Sequence, residues 1–416
     1  MDTAAEGVGV ASVAAVARPD VGTRPDETGG PACRAQDRVK TNMSARAAVR
    51  VTPFSLTGLA MAVIAIFIDP STTPPIRPGA VTDRAVDRMA RDRRPHDTTR
   101  GRKIVSATDW LLGSDPAIRW QAMRDLTDAP ANQVAAERAR VATEGWGARL
   151  LALRREDGLW DIGTPEPEFI SLLALLMLRD MGLDASSEAA RDAIGLVHKN
   201  ATWHSRGPWH GTPLFAGEVE PCINGRVVTV GSYFGLDVTG IVERLLGEQM
   251  ADGGWNCEQE NGSTRGSFHS TINVLEGLLE HARASGRSAE VTAALERGQA
   301  YLLERRMLRR LSSGELIDTA FTSFSYPTGY HYDALRGLDY LRAAGVTPDA
   351  RVTEAIDLVS SKRDAEGRLP LENPHKGEMV NARLRDLEFG LDEREGRPSR
   401  WNTLRGLRVL RWAGRS

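Results

Sequence analysis

The amino-acid sequence predicts an all-α protein assembled from helical hairpins, and three observations predict it. From Ser106 to Trp412 apolar residues recur at three- and four-residue spacing, as Leu111, Leu112, Ile118, Trp120, Met123 and Leu126 do. Val-Ile-Thr alternation of the strand type is nearly absent. Finally, an Asp-Gly turn closed by tryptophan recurs between helical stretches, as Asp157-Gly158-Leu159-Trp160 and as Asp252-Gly253-Gly254-Trp255-Asn256.

The first hundred residues have a different texture. Residues 1–104 sustain no helical or strand period, and 82–103 are a dense charge run. This segment is expected to be disordered or a misassigned start of the chain. Within it the apolar stretch 54–68 is shorter than the ~20 residues that span a bilayer. It resembles the apolar region of a signal peptide without a clean cleavage site, so membrane contact is the lesser expectation. The expected folded domain is 105–416.

In that domain the pattern marks helices at 169–181, 237–250, 272–284, 290–306, 332–343, 350–362 and 401–412. First helices of successive hairpins are expected near Glu168, Cys222, His269, His331 and Trp401. Gly182 and Gly345 stand where a helix ends on a left-handed residue, and Pro398-Ser399 suits a helix start. In the recurring turn Asp accepts backbone N–H groups, Gly takes the positive φ and Trp covers the helix ends. Ala365-Glu366-Gly367-Arg368-Leu369 is a weaker third copy. Hairpins of this kind stack into an open superhelix or a closed ring.

Composition excludes several functions. The 416 residues carry 53 Lys and Arg against 55 Asp and Glu, a formal charge of −2. That balance supplies no concentrated basic face for nucleic acid. Three cysteines, Cys33, Cys222 and Cys257, are too few for a disulfide framework, so a reducing, cytoplasmic setting is expected. No phosphate-binding glycine loop, nucleotide fingerprint, serine elbow or His-Glu-x-x-His motif is present.

Gln249-Met250-Ala251-Asp252-Gly253-Gly254-Trp255-Asn256 resembles the Gln-Trp repeat of squalene and oxidosqualene cyclases. Ser267-Phe268-His269-Ser270-Thr271 is similar to a segment of protein prenyltransferase β subunits in which a His opens an inner helix. The resemblance implies a single α/α toroid with a central cavity, acting on an isoprenoid or other apolar small molecule. Two departures count against a direct transfer of activity. Where the cyclases carry an Asp-x-Asp-Asp-Thr-Ala acid motif, Glu315-Leu316-Ile317-Asp318-Thr319-Ala320 puts isoleucine in place of the proton donor. The Asp-x-Cys zinc pair of the prenyltransferases is not reproduced either.

On such a ring the residues at the inner-helix starts face the cavity. They include Glu218, Glu220 and Cys222, then Cys257 and His269, then His331. Cys222, Cys257, His269 and His331 form a ligand set suited to zinc, with helix dipoles favouring thiolate. Glu218, Glu220, His269 and His331 are the candidate catalytic groups. Against this stand ordinary readings: inert buried cysteines, helix-capping histidines and a solvated acidic loop. Trp203-His204 to Phe215 could lid the cavity, while Phe324, Tyr326, Tyr330, Tyr332 and Trp401 could line an aromatic cage. Arg397, Arg400 and Arg405 could grip a diphosphate, or pair with nearby acids. The alternative from another class is a non-catalytic toroid, its acid motif lost, that binds a ligand or partner.

Overall fold

The computed structural model describes residues 105–161, 166–204, 208–375, 391 and 393–415. The expectations for 1–104, with the apolar stretch 54–68, fall outside these residues. The described residues are helical, with isolated bridges such as Trp255–Ser267 and no strand among them. None of their helices is long and apolar enough to cross a membrane.

The helices are α1 (Ala107–Leu112), α2 (Pro116–Leu126), α3 (Ala131–Ala139), α4 (Gly145–Ala152), α5 (Pro167–Met181), α6 (Glu188–Asn200) and α7 (Pro221–Tyr233). Then follow α8 (Thr239–Gly247), α9 (Phe268–Ser285), α10 (Ala289–Glu304), α11 (Ala334–Ala343), α12 (Thr353–Ser361) and α13 (Arg400–Trp412). Local chemistry explains their ends. Ser106, Asp115, Ser187, Ser288, Asp333 and Ser399 each accept a first-turn N–H, and α5 stops at Gly182 with φ 87°. Helix α5 is buried without a break from Glu168 to Leu175, as the run FISLLALLML suggests.

The recurring turn has one hydrogen-bond pattern in all three copies. Gly158, Gly253 and Gly367 take φ of 84°, 86° and 83°, a region only glycine occupies at little cost. The N–H groups of Arg155, Met250 and Asp364 donate to the carbonyls of Leu159, Gly254 and Arg368, each at 2.9 Å. The next residue then donates its N–H to a hydroxyl in the following inner helix: Trp160 to Ser171 and Trp255 to Thr271 at 3.0 Å, Leu369 to Thr403 at 2.9 Å. Both tryptophans are fully buried and send the indole N–H to a carbonyl ten residues back, Leu150 or Leu245, at 2.7 Å. In the third copy Leu369 fills the ring's place, and Asp364 takes over the aspartate's role by accepting from Arg368 N–H at 2.7 Å.

Helix α2 packs on α5, α5 on α7, α7 on α9, α11 on α13, and α13 back on α2. Between α9 and α11 the link is ionic, Arg336 to Glu276 at 2.6 Å. The last contact is also polar, Arg408 donating to Gln121 of α2 at 2.8 Å, while Arg400 reaches the Trp110 carbonyl of α1 at 2.6 Å. Helices α7 and α9 approach most closely. A Cβ on Gly225 would stand 2.5 Å from the Asn273 carbonyl oxygen, and one on Gly277 would stand 2.3 Å from that of Gly225. Helices α6, α8, α10 and α12 each touch one of these helices, α5, α7, α9 and α13 respectively.

These contacts make Trp255 structural. Trp255→Ala is expected to cost ~3–5 kcal/mol by cavity formation. Thr271→Val leaves the buried Trp255 N–H unpaired and is expected to cost ~1–3 kcal/mol. Chemical denaturation of the purified variants measures both. A Trp255→Ala protein as stable as the parent would contradict the assignment.

Candidate functional site

The loop entering α7 carries the predicted acidic pair. It is not solvated: Glu218 and Glu220 are 5% and 1% exposed. Asn224 clamps the Glu218 backbone through both its amide ends, at 2.8 and 2.7 Å, and Arg244 donates to the Glu218 carbonyl at 2.6 Å. The Glu220 N–H in turn donates to the Glu218 carboxylate at 2.6 Å. Two residues beyond Trp255, Cys257 is held by Ser270 of α9, its sulfur 3.2 Å from the hydroxyl. This brings Glu220, Cys222 and Cys257 into one buried group whose ligand atoms all lie within 4.8 Å of one another.

The group differs from the predicted zinc set in two respects. A glutamate joins the cysteines, and neither His269 nor His331 belongs to it. The Tyr332 N–H donates to His269 Nδ1 at 2.9 Å, so the neutral imidazole carries its proton on Nε2. In that arrangement neither nitrogen offers a lone pair to a metal. The expected thiolate character is also corrected. Burial first, then the Glu220 carboxylate, pushes the Cys257 thiol well above its usual range, outweighing any helix dipole. Cys222 is disulfide-bonded, so a metal and this disulfide are alternative states.

His331 lies three residues before α11 rather than opening it, since Asp333 caps that helix. Its ring stacks on His375 at 3.7 Å and meets His269 at 5.4 Å. These three histidines line a pocket of about 250 Å³ with Asp318 and Asp333. The catalytic candidates are therefore split, with Glu218 and Glu220 at the cysteine group and His269 and His331 at this pocket.

A larger cavity of about 670 Å³ lies among α2, α5, α7, α9, α11 and α13. Nine arginines and five carboxylates line it. Arg336 binds Glu276 and the Asn273 amide oxygen, which also accepts from Arg226 at 3.2 Å. Arg179 bridges Asp180 and Glu280 at 2.8 and 2.5 Å. Desolvation at the cavity wall raises Asp180 despite Arg179, though its side chain is 40% exposed. Leu173, Leu176 and Met177 of α5 and Leu279 of α9 supply an apolar part of the wall. Of the predicted aromatic cage, Tyr326 and Trp401 reach this cavity, stacked at 4.5 Å and 13°. Phe324 and Tyr332 are core residues, and the Tyr332 hydroxyl bonds the Met307 carbonyl at 2.8 Å. Among the C-terminal arginines Arg405 lines the cavity, whereas Arg400 lies over the Trp110 ring at 4.3 Å.

Sequence reasoning did not single out Arg226, Arg336, Arg408 or Asp180. A signal existed, because Trp401, Arg405 and Arg408 share the i, i+4, i+7 face of the helix expected at 401–412. It also missed the buried Glu168 at the start of α5, which accepts from His204 at its N–H (2.9 Å) and its Nδ1 (2.8 Å). That pair ties the 203–204 end of the expected lid to the helix.

No family model matches the chain, and no curated protein is similar to it.

Glu393, close to Tyr326, gives a pH prediction. Its carboxylate accepts the Arg400 N–H at 2.9 Å, yet burial raises it to about 7. A carboxyl raised in the folded state stabilises the protein below the unfolded value, and that contribution is lost as pH rises from about 4.5 to about 7. Glu393→Gln is therefore expected to flatten the fall in stability across this window and to gain ~1–3 kcal/mol at pH 8. Urea titrations at pH 5 and 8 measure it; an unchanged slope refutes it.

Proposed function

We propose that the described helices close into a ring and that its central cavity binds a small molecule bearing negative charge. One observation carries this reading: nine arginines against five carboxylates on the wall of a cavity of about 670 Å³. Such a volume suits a small ligand. Buried arginine is costly unless paired, and the excess over acidic partners favours an anion with oxygen acceptors. The circuit of contacts from α2 round to α13 and back supports the ring.

The resemblance to squalene cyclases and protein prenyltransferases suggests an isoprenoid. A bare hydrocarbon suits this wall poorly. An amphiphile with a short apolar part on Leu173, Leu176, Met177 and Leu279 and a phosphate or carboxylate among the arginines suits it better. Asp180, which desolvation raises despite its pairing with Arg179, is the wall carboxyl best placed to exchange a proton with such a ligand. Without that step the protein is a binding ring, the non-catalytic alternative.

Inorganic diphosphate is expected to raise the melting temperature of the full chain in a salt-dependent way, with farnesol giving no shift. A farnesol response without a diphosphate response would favour the hydrocarbon reading. No response to either would sink both.

The cysteine group supports a second, separate proposal: with Cys222 reduced, Glu220, Cys222 and Cys257 hold zinc. Two sulfurs and a carboxylate oxygen are the donor types zinc takes. Tetrahedral zinc sets its sulfurs ~3.8 Å apart, so ligand atoms within 4.8 Å need close only modestly. The reduced chain, dialysed against zinc and then buffer, is expected to retain one zinc per chain by atomic absorption, and Cys257→Ser to retain none. A reduced parent that retains no zinc overturns this.

A further inference from the structure

The cavity wall carries polar atoms that the protein itself does not satisfy, and they cluster. The Tyr326 hydroxyl, the Trp401 indole N–H and the Arg408 Nε–H are buried without a hydrogen-bond partner among the described residues. Tyr326, Trp401 and Arg408 are 4%, 3% and 8% exposed, and all three line the cavity. Buried donors are almost always paired, so three orphans on one wall mark a place where a ligand supplies the acceptors. Trp160 and Trp255 send their indole N–H groups to carbonyls, whereas the buried Trp203 indole, which does not line this cavity, also lacks a partner among the described residues.

Their arrangement follows from the helix. Trp401, Arg405 and Arg408 stand at i, i+4 and i+7 on α13, so their side chains form one stripe along the cavity. Tyr326 extends the stripe through its stack on Trp401. The charge around it is unbalanced. Arg124 and Arg408 share Asp125, while Arg342 and Arg405 share Asp339, so four guanidinium groups meet two carboxylates within 4.0 Å.

We propose that this stripe, Tyr326, Trp401, Arg405 and Arg408, is the seat of the ligand's oxyanion. The proposal rests on the anion-binding reading above and adds its position. The group bound is a compact oxyanion carrying two negative charges, from a phosphate ester or from a dicarboxylate. A hydroxyl and an indole N–H give it directed hydrogen bonds, and the guanidinium groups neutralise it. The apolar stripe of α5 lies elsewhere on the wall and takes the remainder of the ligand.

Tyr326→Phe tests the position cleanly, because it deletes a hydroxyl that has no partner among the described residues. It is expected to leave the melting temperature unchanged or raised. Isothermal titration of the full chain with inorganic phosphate and diphosphate, and in parallel with malonate and succinate, compares the two sources. The series that binds the parent more tightly names the chemistry of the ligand. In that series Tyr326→Phe and Trp401→Phe are each expected to weaken binding about tenfold. A Tyr326→Phe protein that binds both series as tightly as the parent overturns the position while leaving the anion-binding reading intact. A parent that binds neither series overturns both. Trp401→Phe stands as the independent check should the tyrosine variant fold poorly.

Discussion

One hydrogen bond sets the spacing of the molecule: the backbone N–H that closes each Asp-Gly turn donates to a hydroxyl one turn inside the next inner helix. Ser171, Thr271 and Thr403 receive it, although the intervening loops differ in length by more than twenty residues. The bond decides which end of each inner helix meets the turn. A buried N–H must be paired, so the helix cannot slide along its neighbour without orphaning it. At α9 the adjacent Ser270 does the same for Cys257, and this second bond carries the cysteine toward Cys222 and Glu220. The buried Glu-Cys-Cys group is therefore a consequence of how α9 is anchored.

The cavity is where the energetics are hardest to explain by stability alone. Burying arginine costs several kcal/mol per ion even in a well-made pair, and replacing such pairs with apolar residues is often neutral or better. Yet α7 carries Arg226, α11 carries Arg336 and Arg342, and α13 carries Arg405 and Arg408, all on the wall. Helix α5 shows that the same fold tolerates an almost wholly apolar inner helix. The charged wall is thus a choice of sequence rather than a demand of architecture. The carboxylates do not match the arginines one for one, five against nine on this wall.

What the sequence displayed clearly was local. The Asp-Gly-Trp turns, Gly182 after α5 and Pro398-Ser399 before α13 are short-range signals, and each helix they bound lies within a few residues of its expected place. The meeting of Cys222 with Cys257 was legible as well, since both stand near inner-helix starts. The histidines were misgrouped for a reason of one turn of chain. His331 lies three residues ahead of α11, and that short extension lets the Tyr332 N–H occupy His269 Nδ1. Which nitrogen of an imidazole is taken depends on such a contact and leaves no trace in spacing. The arginines were passed over because charge on a helix usually marks its solvated face. In a helix whose inner side borders a cavity, that inference inverts.

The acid motif illustrates how far architecture and chemistry separate here. The Glu315–Ala320 segment, which carries isoleucine where the cyclases have their proton donor, contributes nothing to the central cavity wall. Ile317 instead packs against the core, its N–H on the Leu308 carbonyl. Asp318 spends its carboxylate on capping the short helix Thr319–Thr322. A different carboxyl reaches the cavity at the C-terminal end of α5, where Asp180 is raised by desolvation and paired with Arg179. Desolvation raises its affinity for a proton, and Arg179 limits the rise. The chemistry of this cavity is accordingly read from which side chains line it, and a motif carried by a loop outside it has no bearing.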